Sequence, residues 1–172
     1  MSKTASAIIT KTEFLWSKFS DSHLEIRKEH GIDENQIEIT AVPCELSPKD
    51  NDYKIPLSDW IFTIDLSRDQ WPEWFSEKDA EKQFRDILPK WAETHIYKTG
   101  HHIFDGGNLS LIFMGEATAE IKNQTGGVCW FYDSSTGTVT GQTGGMCRFY
   151  ESSTGTVTGQ TGGECRFYES SF

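Results

Sequence analysis

The side chains best suited to chemistry are few and scattered along the chain. His101 and His102 precede Asp105, and imidazole with carboxylate is a donor set that zinc accepts. Adjacent residues of a strand point to opposite sides, so the two histidines are not expected to share one ion. We therefore predict neither a metal site nor a cofactor.

Three of the four cysteines recur every 18 residues, as Cys129, Cys147 and Cys165. They form no CxxC pair and no Cys/His cluster with zinc spacing. Since an odd column cannot pair fully, we predict reduced thiols that pack as small apolar groups.

Catalytic patterns are equally weak. No nucleophile stands at a readable spacing from a base, and the glycines follow the repeat rather than opening a phosphate-binding loop. We predict that the protein is not an enzyme. An enzyme missed by these patterns would have to use Asp59, Asp65 or Glu73, the acids among the clustered aromatic residues of the first half.

The last third of the chain is repetitive. Residues 134–151 and 152–169 match at 17 of 18 positions and differ only at Met146/Glu164, while residues 116–133 match the next block at 8 of 18. A short period rich in Gly, Thr and Ser is typical of a β-solenoid, in which each repeat forms one coil.

The predicted fold class is α+β, with an α/β cap over residues 1–97 and a β-solenoid of about four coils over residues 98–172. The cap is predicted to contain strands at 37–42 and 60–66, a helix within 11–30, and a helix after Ser76 that Pro89 ends or kinks. Carrying the repeat backwards aligns Ile103 with Ile121, and Phe113 with Phe131.

Alternation within a coil assigns the two faces of each strand. Val139, Cys147 and Phe149 are predicted to point inward, and Thr138 and Thr140 outward. The outward side of the second strand carries Trp, Tyr and Arg, the residue types enriched at protein interfaces. The predicted protein-binding residues are Trp130, Tyr132, Arg148, Tyr150, Arg166, Tyr168, Asp133, Glu151 and Glu169.

Two structural explanations compete with this interpretation. Stacked tyrosines and an Arg148–Trp130 cation–π contact would also stabilise the sheet. The acidic column that Asp133, Glu151 and Glu169 form at one corner of the coil would equally suit a basic partner or a solvated turn.

The Thr-x-Thr segments leave an ice-binding solenoid open as an alternative. The inward series required by hexapeptide acyltransferases and the aspartates required by calcium-binding repeats are missing.

Charge and hydropathy limit the possible partners and location. A net charge of −10 argues against direct binding to nucleic acid. No apolar run is long enough for a transmembrane helix, and the first residues do not resemble a signal peptide, so we expect no membrane partner and a cytoplasmic protein. An unpaired edge on the last coil predicts a homodimer formed through Arg166, Tyr168 and Phe172.

The WPEWF segment at 71–75, the following helix, and GGNLSLIF at 106–113 before the coils together resemble a set of proteins encoded by phages and prophages of gut bacteria. This resemblance implies a short α/β head with a β-solenoid tail and a mobile-element origin. The expected function is inhibition of a bacterial defence or nucleic-acid-processing system by protein contact, as anti-CRISPR proteins act. The partner would be a bacterial host protein, met in the host cytoplasm. A structural or adhesive phage component is the alternative.

Overall fold

The computed structural model describes residues 5–33 and 40–168, and the chain divides into two compact units, Met1–Ala92 and Glu93–Phe172. The predicted boundary was at 97/98. The described helices are α1 (His23–Glu29) and α2 (Glu77–His95), and short 3₁₀ turns cover Lys49–Asn51, Leu57–Asp59 and Arg68–Gln70. The described strands are β1 (Ala5–Thr10), β2 (Phe14–Leu15), β3 (Ala41–Ser47), β4 (Ile61–Ile64), β5 (Ile96–Tyr97), β6 (His101–Asn108), β7 (Leu111–Phe113), β8 (Thr118–Gly126), β9 (Val128–Phe131), β10 (Thr136–Thr140), β11 (Met146–Phe149), β12 (Thr154–Thr158) and β13 (Glu164–Phe167).

The first unit contains an antiparallel sheet of order β2-β1-β3-β4. The prediction of a helix within 11–30 is correct only for α1, because the polar residues after β1 form a turn instead. The Thr10 hydroxyl accepts the Glu13 N–H at 2.9 Å, and Ile8 then pairs with Leu15 across the two strands. Ile8 and Leu15 belong to a buried apolar cluster that also includes Ile26 of α1.

The predicted strands of the cap correspond in part to β3 and β4. Residues 37–39 lie outside the described residues, and β3 begins at Ala41. The strand predicted at 60–66 is the shorter β4. Strand β1, which was not predicted, is buried over residues 5–9 and lies between β2 and β3.

Helix α2 has one apolar stripe and passes through Pro89. The Ser76 hydroxyl accepts the Asp79 N–H at 3.4 Å at the start of the helix. Pro89 lies on the exposed side, and the helix does not end there. The buried residues recur at helical spacing as Ala80, Phe84, Leu88, Trp91 and His95.

The second unit is a β-solenoid, as predicted. Its first solenoid sheet contains β6, β8, β10 and β12, and its second solenoid sheet contains β5, β7, β9, β11 and β13, with all pairs parallel. Thr136 pairs with Thr154, and Cys129 with Cys147, so neighbouring coils are offset by 18 residues. The repeat seen in the sequence is therefore the spacing of the coils.

The first coil departs from this register. Phe104 pairs with Ile121, an offset of 17, so the predicted alignment of Ile103 with Ile121 is wrong. A slip of one residue exchanges the two faces of a strand, which leaves Ile103 58% exposed and turns Phe104 towards the core. The register returns to 18 after an irregularity between Gly107 and Asn108.

The solenoid core is a ladder of phenylalanine rings. Phe131 and Phe149 stack with centroids 4.6 Å apart, and Phe149 stacks on Phe167 at 4.7 Å. Gly137 faces these rings, where an added Cβ would lie 2.6 Å from Phe131. Val139, Cys147 and Phe149 are all 0% exposed, which confirms their predicted inward direction.

Candidate functional site

The outer side of β11 and β13 and the residue after each strand present a compact mixed surface. We name it the Tyr–Arg face, and it consists of Met146, Arg148, Tyr150, Glu164, Arg166 and Tyr168. In-register pairing places Met146 beside Glu164 and Arg148 beside Arg166. The face therefore repeats one arrangement of side chains on two successive coils.

The tyrosines form a second stacked column. The Tyr150 ring lies 5.0 Å from Tyr132 and 4.6 Å from Tyr168, with interplanar angles of 10° and 5°. Each residue follows a strand, and its N–H bonds to the coil before it: the Tyr150 N–H donates to Phe131 O at 2.9 Å. Backbone pairing and ring stacking together hold these side chains in one conformation.

The charged side chains of the face are held by near neighbours. The Arg166 Nε donates to the Glu164 carboxylate, and these side chains are 47% and 44% exposed. The Arg166 guanidinium holds the pKa of Glu164 below its usual range. One coil earlier, Met146 replaces the glutamate, and the Arg148 Nε lies 2.8 Å from the Met146 sulfur. Arg148 thus has a weaker local acceptor than Arg166.

Trp130 does not belong to this face. It was predicted as a protein-binding residue, but it is 2% exposed, and Val128 on the same strand is 1% exposed. Strand alternation assigns a side of the sheet, but burial of that side depends on the packing around it. Tyr132 is half-buried, and burial raises the pKa of its phenol above the usual range.

The acidic column has a structural use at the corner of the coil. Asp133 and Glu151 both have φ near +57°, at 56° and 58°. The Asp133 carboxylate accepts the Gly115 N–H at 3.0 Å, and the Glu151 carboxylate accepts the Asp133 N–H at 3.1 Å. Each acid therefore satisfies a donor one coil earlier. Glu169, also predicted for binding, lies outside the described residues.

The Cys129 and Cys147 thiols are buried beside a column of glutamine amides that was not predicted, and Cys165 is partly buried. The Cys147 Sγ donates to Gln124 Oε1 at 3.3 Å, and Gln142 Nε2 donates to the same oxygen at 3.2 Å. Both amides are 0% exposed. The recurrence of one glutamine in every repeat was the available signal. Contact with the Cys129 thiol, together with burial, raises the pKa of Cys147.

Cys44 in the first unit is also fully buried, and burial raises its pKa from 9.0 to about 12. The folded thiol keeps its proton to higher pH than the unfolded thiol does. This contribution to stability is complete below pH 9.0 and is lost as the pH rises towards about 12.

The histidines considered for metal binding are engaged separately. His101 Nδ1 lies 2.9 Å from the Thr118 hydroxyl, whereas His102 Nε2 lies 2.9 Å from Thr99 O. Over residues 5–33 and 40–168, no group of three or more His, Cys, Asp or Glu could hold a metal ion. Asp59, Asp65 and Glu73 are all exposed.

Comparison of the chain with protein-family models, with curated proteins and with solved structures found no match. No helix within the described part of the chain has the length and apolar character needed to cross a membrane.

Proposed function

We propose that the chain is a non-enzymatic protein that binds another protein through the Tyr–Arg face. The observation that carries this proposal is the repetition of Arg and stacked Tyr on two rigid, in-register coils. Tyrosine and arginine supply much of the binding energy at protein interfaces. A surface of these residues on a regular sheet suits a folded partner with complementary carboxylates and apolar area.

Preorganisation supports the same interpretation. Immobilising a flexible side chain on binding costs about 0.5–1.5 kcal/mol. The Tyr150 and Tyr168 rings are already stacked at 4.6 Å, so a partner meets side chains with little rotational freedom left to lose. The Arg148 Nε is directed at the Met146 sulfur, and we expect the guanidinium to form a bidentate contact with a carboxylate of the partner.

The narrower form of the proposal is a phage-encoded inhibitor of a bacterial defence or nucleic-acid-processing system. It is supported by the resemblance of the WPEWF and GGNLSLIF segments to phage and prophage proteins, and by a net charge of −10, which favours protein contact over binding to nucleic acid. The partner in this form is a host protein of the bacterial cytoplasm.

The test is a quantitative pull-down from bacterial lysate with a face variant and a matched control. The face variant is Met146→Glu/Arg148→Ala, in which Glu copies residue 164 of the next coil. The control is Thr138→Glu/Thr140→Lys on the other sheet, which copies Glu120 and Lys122 of the preceding coil. The glutamate at position 146 and both control changes therefore copy side chains that a neighbouring coil already accepts.

A partner recovered in stoichiometric amount with wild type and control, and at least tenfold less with the face variant, would support the proposal; tenfold corresponds to about 1.4 kcal/mol. A partner retained by the face variant, or lost with the control, would refute it. Identification of the partner as a defence or nucleic-acid enzyme, with inhibition on reconstitution, tests the narrower form.

The threonine array on the first solenoid sheet favours a second candidate, ice binding. Thr136, Thr138 and Thr140 pair in register with the threonines of β12, and all six are exposed. The hydroxyls of Thr136 and Thr154 lie 3.2 Å apart, forming a regular grid. Thermal hysteresis by wild type that Thr138→Glu/Thr140→Lys abolishes would favour this candidate, and a wild type without hysteresis would exclude it.

A further inference from the structure

The two sheets of the solenoid end on strands β12 and β13. Across residues 5–33 and 40–168, each pairs with one neighbouring strand only, which leaves its outer N–H and C=O groups facing away from the solenoid. The core is open at the same place, because Phe167 is 44% exposed whereas Phe149, one coil inward, is 0% exposed. We call this surface the terminal edge.

The terminal edge has the chemistry of an internal coil interface. Residues 134–151 and 152–169 are identical at 17 of 18 positions. The open side of the last coil therefore carries nearly the same groups as the side of the preceding coil on which the last coil stacks. That internal contact includes the Phe149–Phe167 stack at 4.7 Å and the Cys165 Sγ bond to Gln142 Oε1 at 3.2 Å. A second copy of the chain carries the same edge strands and the same exposed ring, so two such edges can cover one another.

We propose that the terminal edge binds a second copy of this chain about a two-fold axis through Cys165 and Val157. Such an axis brings each edge strand antiparallel to its counterpart, and both solenoid sheets continue across the dimer. In such a pair, inward-facing residues of one copy must lie opposite inward-facing residues of the other. The two-fold axis can therefore pass through only a few residues of each short edge strand. This interface shares Glu164 and Arg166 with the Tyr–Arg face, but it does not require that face to bind another protein.

Charge selects the register of the second solenoid sheet. Centring the β13 pair on Cys165 places Glu164 of each copy opposite Arg166 of the other, which creates two opposite-charge pairs. Centring the pair on Arg166 would place like charges directly opposite, which is unfavourable. Both side chains are nearly half exposed, at 44% and 47%, and so can reach across the edge.

The first solenoid sheet agrees with the same axis. Gly155 faces Phe167 across the core, where an added Cβ would lie 2.8 Å from that ring. Since β12 and β13 run in opposite directions around the coil, Val157 lies opposite Cys165. The axis then sets Thr156 against Thr158 of the second copy, and these hydroxyls can hydrogen-bond as the Thr140 and Thr158 hydroxyls do at 3.4 Å.

Head-to-tail stacking fits less well. The first coil pairs with the second at an offset of 17 residues, and β5 contributes only Ile96–Tyr97 to its sheet. That end of the solenoid therefore lacks the 18-residue geometry that the terminal edge repeats. Of the residues predicted for dimerisation, Arg166 lies on the edge strand, Tyr168 follows it, and Phe172 lies outside the described residues.

The test uses two single variants of the full chain, Arg166→Glu and Glu164→Arg, measured alone and mixed by sedimentation equilibrium. Each alone places two like-charge pairs across the axis, and we expect its dimer dissociation constant to rise about tenfold. The equimolar mixture pairs two glutamates of one copy with two arginines of the other. We expect it to form a heterodimer at least as tight as the wild-type dimer.

The matched control is Arg148→Glu, the same change on the same face one coil away from the edge, and it should dimerise like wild type. Circular dichroism of every variant checks folding. The mixture is decisive, because neither variant retains a Glu164–Arg166 pair within its own chain, so recovery must come from contacts between chains. A wild type that sediments as a monomer at every concentration measured, or a mixture that associates no better than its components, would overturn the proposal.

Discussion

Removing one ring from the phenylalanine ladder tests whether the solenoid is stabilised by contacts between neighbouring coils. Phe149 is 0% exposed and stacks on both sides, at 4.6 Å on Phe131 and 4.7 Å on Phe167. Truncating a buried Phe to Ala costs about 3–5 kcal/mol. Within the described residues Phe167 stacks on Phe149 alone and is 44% exposed, so Phe167→Ala should cost roughly half as much, about 2 kcal/mol.

The assay combines urea unfolding followed by far-UV circular dichroism with native-state hydrogen exchange. The second measurement is needed because the two units can unfold independently, and a single transition would then mix their stabilities. Exchange of the β9 and β11 amides reports the solenoid directly. Phe149→Ala should accelerate this exchange and leave that of the β1 and β3 amides unchanged.

Two results would refute this reasoning. Equal losses of unfolding free energy for Phe149→Ala and Phe167→Ala would mean that full burial and stacking on both sides add nothing to the stability that a partly buried ring provides. Faster exchange in β1 and β3 as well would show that the ladder is coupled to the whole chain rather than to neighbouring coils. Either result would contradict the view that each coil of this solenoid is stabilised mainly by contacts with its neighbouring coils.

Three further predictions concern single residues. Raising the pH from about 8 to about 10 should reduce the contribution of Cys44 to stability by about 1.4 kcal/mol, since the unfolded thiol ionises above 9.0 and the folded Cys44 thiol does not. Urea titrations of Cys44→Ala should show a flatter pH profile, and equal profiles would contradict the assignment. Asp133→Ala removes the acceptor of the Gly115 N–H and should cost about 1 kcal/mol by urea unfolding, whereas an unchanged midpoint would mean that water replaces the carboxylate. At Gly144 an added Cβ would lie 2.2 Å from Thr125 O, so Gly144→Ala should cost at least about 2 kcal/mol; calorimetry showing less than half of that would mean that the corner can relax.

The N-terminal unit shows where local pattern was insufficient. The apolar stripe from Ala80 to Trp91 predicted α2, because helical spacing is a property of the segment itself. Strand β1 is a short segment buried on both faces, so it has no alternating pattern, and nothing in the segment itself indicates that β2 and β3 pair with it. Pro89 is tolerated because it lies on the exposed side of the helix, which the packing decides.

The candidate face divides in the same way. Alternation and the 18-residue period were enough to place Arg148 and Arg166 in one column and Tyr150 and Tyr168 in another. They were not enough to show that Trp130, in the same column as the arginines, is buried. A repeat specifies which residues are neighbours, but exposure depends on everything that packs over them.

The 18-residue repeat was enough to specify the coil length, the inward Val, Cys and Phe positions, and the solenoid class, because each coil contacts mainly the next and a repeat encodes that contact locally. Tertiary structure decided the 17-residue offset that turns Phe104 inward, and it gave the Asp133 and Glu151 carboxylates their backbone donors. Those outcomes depend on groups brought together across coils at a corner or a bulge. There the free energy gained by pairing a backbone donor or by burying an apolar ring outweighs the pattern of the strand alone.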